Sequence, residues 1–218
     1  MAGNVEKAPD GFNPVRVRED AGRKRTSTFS ECIVIGASTG GAEAIKLLLQ
    51  ALPVQMPPIL IAQHMPERFT STFAARLDEC CRLSVKEARD SEVCRPGWVY
   101  VAPGSAHLSV ARLPNGELVC QVRQDEKVNR YRPSVDVLFF SAAKIVGTNC
   151  IGVLLTGMGK DGAEGLLAMR HAGAYTIAQD QQSSVVYGMP RAAVALGAVN
   201  IVLPLDHIAG YLLRQVKG

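Results

Sequence analysis

No apolar run in this 218-residue chain approaches the roughly 18 residues that cross a bilayer, and no secretory h-region opens it, so neither membrane insertion nor export is expected. Six cysteines (Cys32, Cys80, Cys81, Cys94, Cys120 and Cys150) make no C-x-x-C pair and no Cys/His ladder. That argues against structural zinc, and without an export signal they are expected to be reduced, mostly buried thiols. The net charge of +4 contains no long Lys/Arg run and no basic stripe interleaved with aromatics, so nothing points to nucleic acid. Only four histidines are present, and no internal repeat is visible. What remains is 47% hydrophobic and 20% charged, enough to bury one core, and the expected compartment is the cytoplasm.

The first thirty residues differ from the rest. They carry Gly, Pro, Asn and charges of both signs with few large apolar side chains, so residues 1–30 are expected to be a flexible leader or linker and 31–218 the folded domain. From Glu31 onward, apolar β-rich runs alternate with helical patterns. Cys32–Ile35 and Ile59–Gln63 read as strands, separated by a helix with Ile45, Leu48, Leu49 and Leu52 on one face. A helix over Glu67 to about Cys81 follows, with Phe69, Phe73 and Leu77 at i, i+4, i+8. Trp98–Ala102 and Leu118–Val122 flank Pro114-Asn-Gly116 and suggest a small antiparallel hairpin or meander. Then come helix Val135–Val146, capped by Ser134, strand Ile151–Leu155, helix Gly162–His171, strand Tyr175–Ala178, helix Pro190–Leu196 and strand Val199–Leu203. A last helix starts near Asp206. The expected fold is α/β: a doubly wound, mostly parallel sheet with helices on both faces and a small antiparallel hairpin.

Chemistry-bearing residues fall at strand exits. Gly36, Ser38 and Gly40 fit the G-x-S-x-G nucleophile elbow, a tight strand-to-helix turn with an exposed serine hydroxyl. A serine needs a base and a group to orient that base. His64 follows the second strand directly, and Asp161 lies in Leu154-Leu-Thr-Gly-Met-Gly-Lys-Asp-Gly-Ala163, at the exit of another buried strand. Sites in open parallel sheets form beyond the carboxyl ends of the strands, so these three make a candidate Ser-His-Asp triad. Each also has a plainer reading. Ser38 caps a helix or holds a phosphate, His64 is a structural histidine, and Asp161 caps the Gly162–His171 helix. His107, in the meander, reads as structural; His171 suits the C-terminal end of a helix dipole, and His207 sits near a helix start. No metal site or cofactor is expected.

Seven separate motifs then share one order: Ile35-Gly-Ala-Ser-Thr-Gly-Gly41, Gln63-His-Met-Pro66, Ser84-Val-Lys-Glu-Ala88, Val101-Ala-Pro-Gly104, Tyr131-Arg-Pro-Ser-Val-Asp136, Leu155-Thr-Gly-Met-Gly-Lys-Asp-Gly162 and Ser184-Val-Val-Tyr-Gly-Met-Pro190. In them the chain resembles, from about Cys32 to Leu213, the catalytic domain of the CheB-type protein-glutamate methylesterases of chemotaxis. The resemblance implies the same sheet with a hairpin, and a triad falling on Ser38, His64 and Asp161. It implies hydrolysis of glutamate γ-methyl esters on the cytoplasmic helices of chemoreceptors, with glutamine deamidation in some members. It also implies oxyanion donors at the Met158 N–H and Thr39.

Arg132 is a candidate contact to a carboxylate-rich receptor helix, or else a solvated surface arginine. Gln181 departs from the family's A-Q-[DN]-E stretch, where an acidic residue often stands. Two-domain members carry a receiver domain before the linker, so the expectation is an excised or stand-alone esterase, with a response-regulator receiver in trans as a partner. Two rivals remain: a serine esterase of another substrate class, and a Rossmann-like nucleotide-binding module. The second fits poorly, because Ser38 replaces the second glycine of G-x-G-x-x-G and Gln63-His64 stands where an acid should meet the ribose.

Overall fold

Cys32–Ala37 are buried without interruption and form a central strand in the computed structural model of the chain, which describes residues 30–216 and the backbone of 15–16 and 217. A strand with no exposed face needs helices on both sides, and the chain supplies them by alternation. In order the elements are β1 (Val15–Arg16), β2 (Cys32–Ala37), α1 (Gly41–Gln50), β3 (Ile59–Gln63), α2 (Glu67–Cys80), β4 (Ser84–Glu87), β5 (Trp98–Val101), β6 (His107–Arg112) and β7 (Leu118–Arg123). They continue with α3 (Val135–Ile145), β8 (Cys150–Leu154), α4 (Ala163–His171), β9 (Tyr175–Gln179), α5 (Met189–Ala195), β10 (Ile201–Leu203) and α6 (Leu205–Lys217).

The main sheet runs β1-β10-β9-β8-β2-β3-β5-β4, and β6 and β7 pair apart from it. Every neighbour in the main sheet is parallel except β1 against β10. This is the doubly wound, mostly parallel architecture expected. The order reverses at β2: the chain leaves it toward β3 and returns to its other side with β8. In open α/β sheets, ligands bind at that reversal.

Alternation along the strands splits the core. Ile33, Ile35, Ile59 and Ile61 face one layer, with Ile45, Leu48 and Leu49 of α1 and Ile208 and Leu212 of α6. Val34, Leu60 and Leu154 face the other, with Leu138 and Phe139 of α3, Leu166 of α4 and Leu108 of the hairpin. Each such side chain contributes roughly 1.5–3 kcal/mol on burial.

Several expectations need correction. The hairpin is real, but Leu118–Arg123 pairs with His107–Arg112 around Pro114-Asn-Gly116. Trp98–Val101 instead joins the main sheet, parallel to β3 and β4. Both runs have strand composition, and alternation does not say which one pairs across the turn. Ser84–Glu87, expected only as part of a motif, is strand β4. Helix α2 does not bury a Phe69–Phe73–Leu77 face. Thr70, Ala74 and Leu77 are buried while Phe69 is 46% exposed. Thr70 is taken inward because its hydroxyl bonds Glu87 Oε1 and accepts from the Gly104 N–H. Of the leader expected over 1–30, Val15 and Arg16 pair antiparallel with Val202 and Ile201, Ser30 is buried, and the rest lies outside the described residues.

Candidate active site

Ser38 stands one residue past β2. Its N–H donates to Thr156 O (3.0 Å), and its carbonyl accepts from Gly41 N (2.8 Å) and Gln63 Nε2 (2.9 Å). Gly40 starts α1 from the left-handed region, φ 79°, which L side chains rarely adopt, and a Cβ there would lie 2.5 Å from Val185 Cβ. This is the strand-to-helix turn that the G-x-S-x-G spacing predicts. Ser38 is half-buried at its tip and Thr39 is exposed.

The β2–β3 register pairs Ala37 with Gln63, so Ser38 and His64 are the next residues beyond paired strand ends. His64 N–H extends the ladder to Ala37 O (3.0 Å). Adjacent strands lie about 4.8 Å apart, which sets the two exit loops side by side. The buried Gln63 amide ties them together by donating to both Ser38 O (2.9 Å) and His64 O (3.0 Å). At the position where a dinucleotide fold needs a ribose-binding acid, this chain uses a glutamine to brace its own loops.

Asp161 meets His64 directly. His64 Nε2–H donates to Asp161 Oδ2 at 2.7 Å, and the aspartate side chain is fully buried. The other ring nitrogen, Nδ1, is buried and has no hydrogen-bond partner among the described residues. With Nε2 carrying the proton, Nδ1 presents a lone pair. Asp161 does not cap its own helix as one reading had it: α4 begins at Ala163 and Gly162 is its N-cap. Its carboxylate turns to the N-terminus of α3, accepting from Val135 N (2.7 Å), Asp136 N (3.3 Å), Ser134 Oγ (2.8 Å) and Asn129 Nδ2 (2.8 Å). An anion suits the unpaired N–H groups and positive dipole end of a helix. Ser134 does occupy the N-cap position of α3 but makes no capping bond, its hydroxyl being used on Asp161. Burial alone would push the Asp161 carboxyl upward; the bonds from His64, Asn129, Val135 N–H and Ser134 outweigh it and hold the group at about 2. At neutral pH it is a fixed anion.

Tyr131 covers the other side of the pair. Its ring stacks on the His64 imidazole, centroids 3.7 Å apart and planes 9° from parallel. It sits at the end of a tight turn in which Val128 and Tyr131 exchange both backbone bonds. The two central residues, Asn129 and Arg130, hold φ of 54° and 72°. His107 is structural: Nε2 bonds Glu126 O and Nδ1 accepts from the Ser134 N–H.

The Thr156–Gly157–Met158 stretch passes beside Ser38. A Cβ on Gly157 would fall 2.8 Å from Ser38 Cβ and 2.2 Å from Met189 Sδ, so only glycine allows the approach. Met158 is 66% exposed. Among the described residues, neither its N–H nor that of Thr39 makes a backbone hydrogen bond. Thr156 Oγ1 donates to Thr39 O (2.9 Å) and accepts from Val186 N–H (2.9 Å), while the buried Gln179 accepts from Thr156 N–H (2.8 Å). Arg132 Nη1 donates to Asp125 O (3.1 Å), and no hydrogen bond links it to the His64–Asp161 pair. Sequence reasoning missed Asn129, Tyr131, Gln63 and Gln179 as parts of the site, and gave Ser134 only a capping role. Tyr131 and Ser134 lay inside a motif already singled out and Gln63 beside His64, whereas nothing marked Asn129. Among the described residues no three His, Cys, Asp or Glu side chains converge as metal ligands, and no helix is long and apolar enough to cross a membrane.

A doubly wound sheet with serine, histidine and buried aspartate gathered at the carboxyl edge defines the class: an α/β domain with a candidate hydrolase-type triad. Residues 33–212 match the CheB methylesterase family model, and the chain belongs to that family. It is 53% identical over 196 residues to a protein-glutamate methylesterase/protein-glutamine glutaminase of Ralstonia nicotianae, which covers 90% of this chain and 51% of that protein. A protein of the same name from Yersinia pestis is 48% identical over 222 residues, covering 100% of this chain and 63% of its own length. The chain thus spans about half to two thirds of these curated relatives. The crystal structure of the Thermotoga maritima CheB methylesterase catalytic domain superposes with a TM-score of 0.83 at 40% identity, covering 86% of this chain and 99% of that one.

Proposed function

We propose that this domain hydrolyses glutamate γ-methyl esters on the cytoplasmic helices of chemoreceptors, releasing methanol, and that it also deamidates receptor glutamines. The relatives' names support both reactions. The observation that carries the reading is the 2.7 Å bond from His64 to buried Asp161, placed one register step from Ser38. In this mechanism Ser38 Oγ attacks the ester carbonyl and its proton passes to His64 Nδ1, the nitrogen without a partner. Asp161 holds the Nε2–H tautomer and stabilises the imidazolium. The Thr39 and Met158 N–H groups receive the oxyanion, a donor of that kind being worth about 10²–10³ in rate. His64 then returns its proton to methanol and draws one from the water that releases the carboxylate. Arg132 is the proposed contact to receptor carboxylates. The site works in the cytoplasm, with a receiver domain in trans as a further partner.

The test is methanol release from a methylated receptor cytoplasmic fragment, together with labelling by a fluorophosphonate, for the protein and its Ser38→Ala variant. Release and labelling that both vanish in the variant support the reading. Labelling without methanol release points to a serine esterase of another substrate class, and failure of both removes Ser38 as nucleophile.

A further inference from the structure

A second buried carboxylate takes no part in these steps. Asp136 is 3% exposed, the second residue of α3, and its Oδ1 accepts from the Gly165 N–H of α4 at 2.7 Å. Its Oδ2 accepts from Asn129 Nδ2 at 2.7 Å. The same nitrogen donates to Asp161 Oδ1 at 2.8 Å. An amide nitrogen has two N–H groups, and here each is spent on one carboxylate. Asn129 reaches both from the left-handed turn it shares with Arg130, where two non-glycine residues hold positive φ. Such turns favour Asn-Gly, and a bulky residue in that region is strained, a pattern that clusters at functional sites.

Placing one carboxylate beside another is costly. Burial pushes Asp136 up to about 6, the Asp161 charge adding to it against the Gly165 N–H and the Asn129 amide. A neutral residue would suit a purely structural role better. Asp136 also lines a cavity of about 340 Å³ with Asn129, Lys160 and Glu164, which gives the group a route to solvent protons. The charged groups around it are Asp161 from the β8–α4 loop, and Lys160 and Glu164 on the cavity wall, which oppose each other. α5 contributes only Ala192 and Ala195.

We propose that Asn129 and Asp136 are positioning residues of the triad: the shared amide fixes the Asp161 carboxylate against His64, and the charge on Asp136, relayed through that amide, supports the imidazolium formed during catalysis. This rests on the triad reading above. When Asp136 takes up a proton, Oδ2 becomes a poorer acceptor, the amide loses one of its two anchors and the imidazolium loses a stabilising charge. The acid side of the activity profile then carries proton uptake at Asp136 in addition to that at the general base.

The experiment measures the rate of Ser38 labelling by a fluorophosphonate between about pH 5 and pH 8, a readout independent of the natural substrate. The full chain is compared with Asp136→Asn, Asn129→Gly and Ser38→Ala, each checked by circular dichroism. The parent rate is expected to fall at acid pH more steeply than one proton allows. Asp136→Asn is expected to lower the plateau about tenfold, the scale of one hydrogen bond to a charged group, and to leave a one-proton fall. Asn129→Gly accepts the positive φ without strain and is expected to lose the plateau similarly, so it decides the matter if Asp136→Asn does not fold. A plateau within twofold of the parent, with the acid limb unchanged, would overturn the proposal and leave Asp136 a structural residue. Labelling that persists in Ser38→Ala would remove the nucleophile itself, and the positioning role with it.

Discussion

Ser38 and His64 stand where the backbone puts them, one step past the paired residues Ala37 and Gln63 at the ends of β2 and β3. Asp161 is held by side-chain chemistry instead, accepting from His64, Asn129, Ser134 and the first two N–H groups of α3. The Ser38 hydroxyl, half-buried at the tip of its turn, therefore adds little to the fold's energetics. The Asp161 half is part of them, because the anion that orients the histidine also satisfies a buried helix terminus. Substitutions on the two sides should separate activity from stability in opposite ways.

The largest effect is expected at Ser38. Ser38→Ala removes a half-buried hydroxyl that supports no packing, so kcat should fall by on the order of 10⁶ while the urea midpoint stays put. Retention of more than a tenth of the activity in a folded variant would remove Ser38 from the nucleophile role. Asp161→Asn comes next. Its amide would donate to His64 Nε2, enforce the wrong tautomer and cost about 10⁴ in kcat. Unlike Ser38→Ala it should also destabilise. It replaces a charged acceptor by a neutral one facing several donors, and Asp161→Ala, which leaves them unpaired, should lose about 3 kcal/mol or more. Equal unfolding midpoints for the Ser38 and Asp161 variants would collapse the contrast between the two halves.

The same contrast explains what the sequence made legible. That Ser38, His64 and Asp161 fall at one edge of the sheet was legible because each follows a run that reads as a buried strand, and parallel strands deliver their exits to one edge. Asn129 was not, since its partner Asp161 lies 32 positions away across a turn that no local pattern announces, and Tyr131 stood in a quoted motif whose contact with His64, 67 positions away, nothing local revealed. The capping roles failed for a related reason. A serine before α3 and an aspartate before α4 both look like local caps, but the stronger use of each is a long-range bond, Ser134 to Asp161 and Asp161 to α3. The hairpin was placed correctly by its Pro114-Asn-Gly116 turn, but its partner strand was misread because β6, with His107, Ser109 and Arg112 among its six residues, reads less clearly as a strand than the apolar β5.

Stability against pH sharpens the comparison within the acidic half. Asp161 is held at about 2, below its unfolded value of about 3.9, so its contribution is complete above that value and is lost as pH falls toward 2. Asp136 sits at about 6, above its unfolded value, so its contribution is complete below about 3.9 and is lost as pH rises through 6. At about 1.36 kcal/mol per pKa unit neither contribution exceeds about 3 kcal/mol, and solvent screening brings the Asp136 share below that. Urea unfolding measured across this range should show Asp161→Asn flattening the acid side and Asp136→Asn flattening the decline toward neutrality. Parallel curves for the two variants would show that the two carboxylates do not have opposed environments.

The smallest effect is expected at Tyr131, where the two halves touch. Its ring lies flat on His64 at 3.7 Å, so it limits the imidazole to one plane and faces the charge that forms there. Aromatic pairs of this kind are worth about 0.5–1.5 kcal/mol, so Tyr131→Ala should lower kcat about two- to tenfold, mainly through disorder of the ring, with a much smaller change in stability than at Asp161. Tyr131→Phe keeps the stacked face and should stay within about twofold of the parent, because the stacked face and not the hydroxyl carries the effect. If the phenylalanine variant lost as much as the alanine one, the hydroxyl would be the working group. It lies 3.8 Å from where a Cβ on Gly159 would stand, close to the Met158 loop, so the effect would then act through that loop. Measuring kcat and the unfolding midpoint of both variants together distinguishes the two cases, since a loss through the loop would leave histidine ordering intact and a loss through stacking would not.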